Sequence, residues 1–386
     1  MTSPSSSSQQ SSTPPGRRAP AGEAGNPIRV LVTDDSVVVR KLVSQALAVH
    51  PGIEVVGTAA NGHIALNKVR QLEPDVVTMD IEMPEMDGIT AVRELRAAGY
   101  RRPIIMCSTL TERGAAATLD ALAAGASDYV TKPSNTGSIE KSLQVMTDDL
   151  VPKVLALVPR QMPRTPGAAT PRLGRRAPSL GLRTVAARKG AAPAVEIVVI
   201  GSSTGGPNAL STLIEGLTKR PKVPVVVVQH MPPVFTRQLS ERLDRIGSIS
   251  VVEAHDGQAL VAGTVYIAPG GRHLEVRSAA GLGVVRLNDN PPVNYCRPSV
   301  DVMFRSAAAS YSGGVLGVVL TGMGSDGAQG AGQIAKAGGA VLAQDPSTSV
   351  VWGMPGAVTE AGYARAVLPL GEIAAAIERG IEGASI

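Results

Sequence analysis

Aromatic side chains are scarce in this chain, with one Trp, six Tyr and two Phe among 386 residues. A core must therefore be built from Val, Leu, Ile, Ala and Met, and the stacking platforms that single-stranded nucleic acids use are largely missing. Cysteine is equally rare. Cys107 and Cys296 lie far apart and lack metal-ligand spacing, so no zinc site is signalled and a reduced, intracellular setting is expected. The first residues, MTSPSSSSQQSSTPPGRR, contain no apolar segment, and no later apolar run approaches the roughly 20 residues that a membrane span needs. A cytoplasmic protein without membrane insertion is the expectation. Acidic residues are absent from one long stretch: Pro152 to Ala194 holds nine Lys/Arg and no Asp/Glu. The net charge of +5 is thus concentrated there and the remainder is net acidic, which argues for a solvated basic tether rather than a nucleic-acid-binding face.

What is present reads as two globular domains. Hydrophobic residues make up 44% and charged residues 18%, the balance of a folded chain with room for two cores. Residues 1–26 are rich in Ser, Pro, Gly and Ala and are expected to be a disordered extension, because they offer too little apolar surface to offset ordering entropy. From Ile28, apolar runs such as IRVLVTDD, DVVTMD and PIIMCST alternate with amphipathic stretches. Strands with continuous Val/Ile runs between helices predict a parallel sheet covered on both faces. Five strands and five helices are expected within residues 27–150. Residues 151–194 read as a Pro/Arg-rich linker, although VPKVLALV extends the preceding helical pattern. A second α/β domain, mainly parallel and doubly wound, is expected over 195–386, beginning at VEIVVIG.

In open α/β sheets, chemistry collects at the carboxyl ends of strands. In the first domain, the first run ends in Asp34-Asp35, the third in Asp80 and the fourth in Ser108, while the fifth leads into Lys132-Pro133. A carboxylate cluster binds a hard divalent cation such as Mg²⁺. With charge so neutralised, one carboxylate can accept a phosphoryl group, with Lys132 and the Ser108 hydroxyl bonding its oxygens. These residues and the MPEMDG turn resemble a response-regulator receiver domain, a (βα)5 flavodoxin-like fold, over residues 28–150. The resemblance implies that Asp80 is the phosphoacceptor and that Asp34 and Asp35 hold the metal with it. It further implies Ser108 and Tyr129 as switch residues, a cis Lys132-Pro133 bond and a sensor histidine kinase as phosphodonor.

In the second domain, VEIVVI is followed by Gly201-Ser202-Ser203-Thr204-Gly205-Gly206-Pro207. Such a turn at a helix start aims backbone N–H groups at an anion or oxyanion. The dinucleotide pattern G-x-G-x-x-G is not met, and no Gly-Lys-Ser/Thr of a phosphate loop follows. Acyl transfer needs a hydroxyl, a base and a carboxylate, and strand ends offer Ser203, His230 and Asp326. Ser202, Ser203 and Thr204 are adjacent, so chemistry alone leaves the nucleophile open; Ser203 satisfies G-x-S-x-G. The order Ser, His, Asp differs from the Ser, acid, His order of α/β-hydrolases.

The segments GSSTGGP, QHMPPVFTRQLSERL, YIAPGGRH, PPVNYCRPSVDVMF, LTGMGSDGAQG and GMPGAV resemble the chemotaxis-type protein-glutamate methylesterases. That resemblance implies a Ser203-His230-Asp326 triad, with Thr204 and the backbone around Met323 near the substrate and oxyanion. It implies hydrolysis of γ-glutamyl methyl esters on the cytoplasmic helices of chemoreceptors, deamidation of receptor glutamines, and no cofactor for the esterase step.

Overall fold

The computed structural model describes residues 26–133, 138–158, 194–279 and 282–384. The expected N-terminal extension and most of the expected linker lie outside them. The first domain consists of β1 (Ile28–Thr33), α1 (Val37–Ala48), β2 (Ile53–Ala59), α2 (Gly62–Leu72), β3 (Val76–Asp80), α3 (Gly88–Ala97), β4 (Ile104–Ser108), α4 (Glu112–Ala123), β5 (Asp128–Thr131) and α5 (Ile139–Leu157). Its sheet has the order β2-β1-β3-β4-β5 and every pairing is parallel. Strands β3 and β4 are buried along their whole length, as expected for Val/Ile runs covered by helices on both faces.

Helix starts follow local chemistry. Ser36, Asn61, Asp87, Thr111 and Ser138 each accept a backbone N–H at the head of their helices, satisfying donors that the first turn leaves orphaned. Helix α5 runs beyond the expected domain end near residue 150. Pro152 removes one helical hydrogen bond, but Val151, Val154 and Leu157 are buried around it, in part against α1, and that packing sustains the helix.

The second domain comprises β6 (Ile197–Ser202), α6 (Gly206–Gly216), β7 (Val225–Gln229), α7 (Pro233–Ile246), β8 (Ser250–Glu253), β9 (Ala259–Leu260), β10 (Thr264–Ile267), β11 (His273–Ala279), β12 (Leu282–Asn288), α8 (Val300–Tyr311), β13 (Val315–Val319), α9 (Ala328–Ala337), β14 (Ala340–Gln344), α10 (Met354–Glu360), β15 (Ala366–Leu368) and α11 (Leu370–Ile381). Its main sheet has the order β15-β14-β13-β6-β7-β10-β8, all parallel. A small antiparallel sheet, β11-β12-β9, is set beside it. The chain order reverses at β6, flanked by β13 on one side and β7 on the other. Such a switch point opens a crevice beyond the strand ends, and the segments after β13, β6 and β7 carry Asp326, Ser203 and His230.

The two domains touch through α4 and α7. Tyr129 of β5 stacks on Phe235 of α7, with ring centroids 4.7 Å apart and planes 9° from parallel. Leu119, Tyr129, Phe235 and Leu239 belong to one apolar cluster that crosses the seam. The expected cis bond at Lys132-Pro133 is not found; the cis X-Pro bond among the described residues is Arg297-Pro298.

Candidate active site

Two clusters occupy strand ends, one in each domain. In the first, Lys132 Nζ lies 2.8 Å from Asp34 Oδ2 and 2.7 Å from Asp80 Oδ1. Asp34 and Asp80 are buried while Asp35 is exposed, and oxygens of all three lie within 4.8 Å of one another. Burial pushes the Asp80 carboxyl up to about 6, against the lowering pull of Lys132. Three carboxylates gathered this closely fit a divalent cation well, and an all-oxygen donor set fits Mg²⁺. The Ser108 hydroxyl, expected near the phosphoryl group, instead donates to the carbonyl of Gly114 at 3.1 Å. It is therefore turned toward the start of α4. Tyr129 is buried against Phe235 rather than facing solvent.

The second cluster begins at the turn after β6. Gly205 has φ of 76°, and a Cβ on Gly206 would overlap the Gln229 amide oxygen, so this tight turn requires glycine at both positions. The turn separates three neighbouring hydroxyls. Ser202 is fully buried and donates to Gln229 Oε1 at 2.6 Å. Thr204 is buried and donates to Asp128 Oδ2 at 2.7 Å. Ser203 is partly exposed and lines a cavity of about 590 Å³ together with Thr204, His230, Cys296 and Met323. Among the described residues, its hydroxyl alone of the three makes no hydrogen bond, which leaves it available for reaction.

His230 Nε2 lies 2.9 Å from Asp326 Oδ2. Asp326 also accepts from the backbone N–H of Val300 at 2.7 Å, Asn294 Nδ2 at 2.8 Å and the Ser299 hydroxyl at 2.9 Å. Burial alone would raise this carboxyl, but His230 and those donors hold it down to about 2. An ionised carboxylate can only accept, so Nε2 carries a hydrogen and Nδ1 is the basic nitrogen. Burial would lower the imidazole, but Asp326 and the Cys296 contact push it up to about 9. Nδ1 meets Cys296 Sγ at 3.5 Å. The structure thus joins two members of the expected triad and brings Ser203 into the same cavity, with no Ser203 hydroxyl to His230 hydrogen bond among the described residues.

Met323 lines the cavity as expected. Its neighbour Gly322 packs so closely on Ser203 that a Cβ there would come within 2.8 Å of Ser203 Cβ. The sequence reading missed Asn294 and Ser299, the partners that fix Asp326. The signal available was Ser299 ahead of the apolar-periodic helix VDVMF, a helix-start pattern whose donors face Asp326. It also missed Asp128, Tyr129 and Lys153 as parts of the cavity wall, because contacts between domains leave no local pattern.

The family model described as CheB methylesterase matches residues 198–377, and the model described as response regulator receiver domain matches residues 30–144. A protein-glutamate methylesterase/protein-glutamine glutaminase of a Nocardioides species is 58% identical over 355 residues, covering 91% of this chain and 95% of that protein. A protein of the same name from Trichodesmium erythraeum is 45% identical, with 92% and 99% covered. Among solved structures, the Thermotoga maritima CheB methylesterase catalytic domain is 46% identical and covers 49% of this chain and 99% of its own, with a TM-score of 0.47. With the receiver-type acid cluster and the Ser203, His230 and Asp326 crevice joined in one chain, the two family models and the two relatives matched over more than nine-tenths of the chain mean that it belongs to the CheB methylesterase family and carries that family's catalytic domain behind a response regulator receiver domain.

Proposed function

We propose that this chain is a phosphorylation-controlled protein-glutamate methylesterase and protein-glutamine glutaminase. It would hydrolyse γ-glutamyl methyl esters on the cytoplasmic helices of chemoreceptors and deamidate receptor glutamines, for sensory adaptation. The observation that carries the reading is the imidazole of His230, tied to Asp326 through Nε2 while Nδ1 is left to the cavity wall that Ser203 shares.

In the proposed reaction, which requires the imidazole in its neutral form, the Ser203 hydroxyl attacks the ester carbonyl as His230 Nδ1 takes its proton. Reaching that geometry requires the Ser203 side chain to turn toward Nδ1 in place of the Cys296 contact, a tightening common when substrate binds. N–H groups around Thr204 and Met323 are assigned to the oxyanion. The C–O bond to the leaving group breaks, and His230 returns the proton to give methanol and a glutamyl ester of Ser203. Water then attacks with His230 again as base, releasing glutamate and restoring the hydroxyl. With a glutamine substrate, ammonia leaves instead. Asp326 stays ionised throughout and stabilises the imidazolium.

In the receiver, Asp80 is assigned as the acceptor of a phosphoryl group from a sensor histidine kinase. Asp34, Asp35 and Asp80 would hold Mg²⁺, which when bound supplies charge neutralisation for phosphoryl transfer. Lys132 is placed to pair with a phosphoryl oxygen. Phosphorylation replaces the single negative charge of an Asp80 carboxylate with an acyl phosphate of roughly −2 beside Ser108, whose loop leads into α4. We take residues 27–150 as the receiver, 151–194 as the linker and 195–386 as the esterase domain, with α5 carrying the receiver's last helix to Leu157. Asp128, Tyr129 and Lys153 of the receiver share the cavity wall with Ser203, so the unphosphorylated receiver covers the esterase site and phosphorylation uncovers it.

Methanol release from methylated receptor membranes tests the reading. Ser203→Ala should lower it by about 10⁴-fold or more, with and without a phosphodonor. Activity retained by Ser203→Ala would refute the nucleophile assignment.

A further inference from the structure

Local spacing in the sequence signalled no zinc site, yet folding gathers His230, Cys296 and Asp326 so that one ligand atom of each lies within 4.8 Å of the others. The arrangement has the order found around metal-bound histidines. His230 Nε2 is tied to Asp326 Oδ2 at 2.9 Å, and Nδ1 faces Cys296 Sγ at 3.5 Å. A carboxylate on the far ring nitrogen fixes the tautomer and orientation of a ligating imidazole and raises its basicity. Zinc–sulfur and zinc–nitrogen bonds of about 2.3 and 2.0–2.1 Å at a tetrahedral angle hold the two ligand atoms about 3.6 Å apart, close to the separation seen here. Cys296 and His230 both line the cavity that Ser203 lines, which leaves room for water or the serine oxygen at the remaining positions. Thiolate with imidazole selects a borderline-soft ion, whereas the oxygen cluster at Asp34, Asp35 and Asp80 selects a hard one. The chain therefore holds two cation-binding chemistries of opposite preference.

We propose that Cys296 and His230 form an inhibitory Zn²⁺ site, with Sγ and Nδ1 as protein ligands and Asp326 as the partner that orients the imidazole. Binding breaks the Cys296 S–H bond and, when the imidazole is protonated, the His230 Nδ1–H bond, releases those protons to solvent and forms the zinc–sulfur and zinc–nitrogen bonds, with no change of oxidation state. The ion occupies the lone pair that would accept the Ser203 proton, so the esterase stops while the receiver cluster is untouched. Binding itself does not depend on His230 being the base, so the two readings fail separately.

The experiment uses the full chain. Zn²⁺, buffered at a series of free concentrations, should inhibit methanol release by wild type, and chelation should reverse it. Mg²⁺ at the same concentrations should not inhibit. In Cys296→Ser the zinc concentration for half-inhibition should rise at least about tenfold, because loss of even an outer partner weakens metal binding by 10–100-fold. Added Co²⁺ should give a thiolate-to-cobalt absorption band in Ser203→Ala, where turnover plays no part, and Zn²⁺ should slow alkylation of Cys296 in that variant. Cys107 gives little background, being buried with its thiol pushed up to about 12. Equal zinc sensitivity in wild type and Cys296→Ser would overturn the proposal. If Cys296→Ser does not fold, absence of the cobalt–thiolate band together with unchanged alkylation rates would overturn it.

Discussion

The acid cluster of the receiver and the crevice of the esterase domain both sit at carboxyl ends of parallel strands, but they differ in readiness. Lys132 already bridges Asp34 and Asp80 at 2.7–2.8 Å, while the Ser108 hydroxyl of the first site is turned to Gly114. In the second, His230 and Asp326 are joined at 2.9 Å while Ser203 stands apart from the imidazole, and receiver residues form part of the cavity wall. The difference teaches what each site lacks: the acids and lysine of the input site are already gathered, and the output site has its imidazole and carboxylate joined without the serine contact. Catalytic geometry is demanding enough that a displacement of about 1 Å can cost 10²-fold, so a small shift of one domain on the other suffices.

The sharpest way to separate the two sites is to break one and leave the other. Asp326→Asn removes the acceptor that fixes the Nε2 hydrogen, and methanol release is expected to fall on the order of 10⁴-fold, while phosphoryl incorporation at Asp80 stays at the wild-type rate. Loss of both would show that the two sites are not independent. A smaller effect is expected at the seam. Asp128→Ala removes the 2.7 Å bond from Thr204, and a hydrogen bond is worth roughly 0.5–1.5 kcal/mol. Esterase activity without a phosphodonor should therefore rise by about 2- to 10-fold, with a smaller change in the stimulated rate. The smallest effect belongs to Arg242→Ala. Its pair with Asp120 is exposed on the acidic side, such pairs contribute about 0–1 kcal/mol, and unstimulated activity should change by no more than a few-fold.

Much of this architecture was legible in the sequence. Continuous runs such as VVIG and VVVVQ have one stable home, a sheet covered on both faces, and polar residues at their ends mark the crevice. Asp34, Asp80, Lys132, His230 and Asp326 were all found that way. Other features depend on segments that meet only after folding. Asn294 and Ser299 reach Asp326 from the loop before α8, and Thr204 meets Asp128 across 76 residues of chain. Side-chain contacts of that kind have no periodicity to betray them. The continuation of the helical pattern through VPKVLALV was also legible, and packing of Val154 and Leu157 carries α5 past Pro152. The rotamer of Ser108, whose hydroxyl is bound to Gly114, was not, because it depends on a contact made only in the folded chain.

The central claim is that the receiver covers Ser203 until Asp80 is phosphorylated. The rate at which a serine-directed acylating probe labels Ser203 in the full chain measures that cover without involving the receptor. Labelling should accelerate when a small-molecule phosphodonor and Mg²⁺ are added to wild type and should stay slow in Asp80→Asn. Equal labelling rates with and without the phosphodonor in wild type would contradict the account.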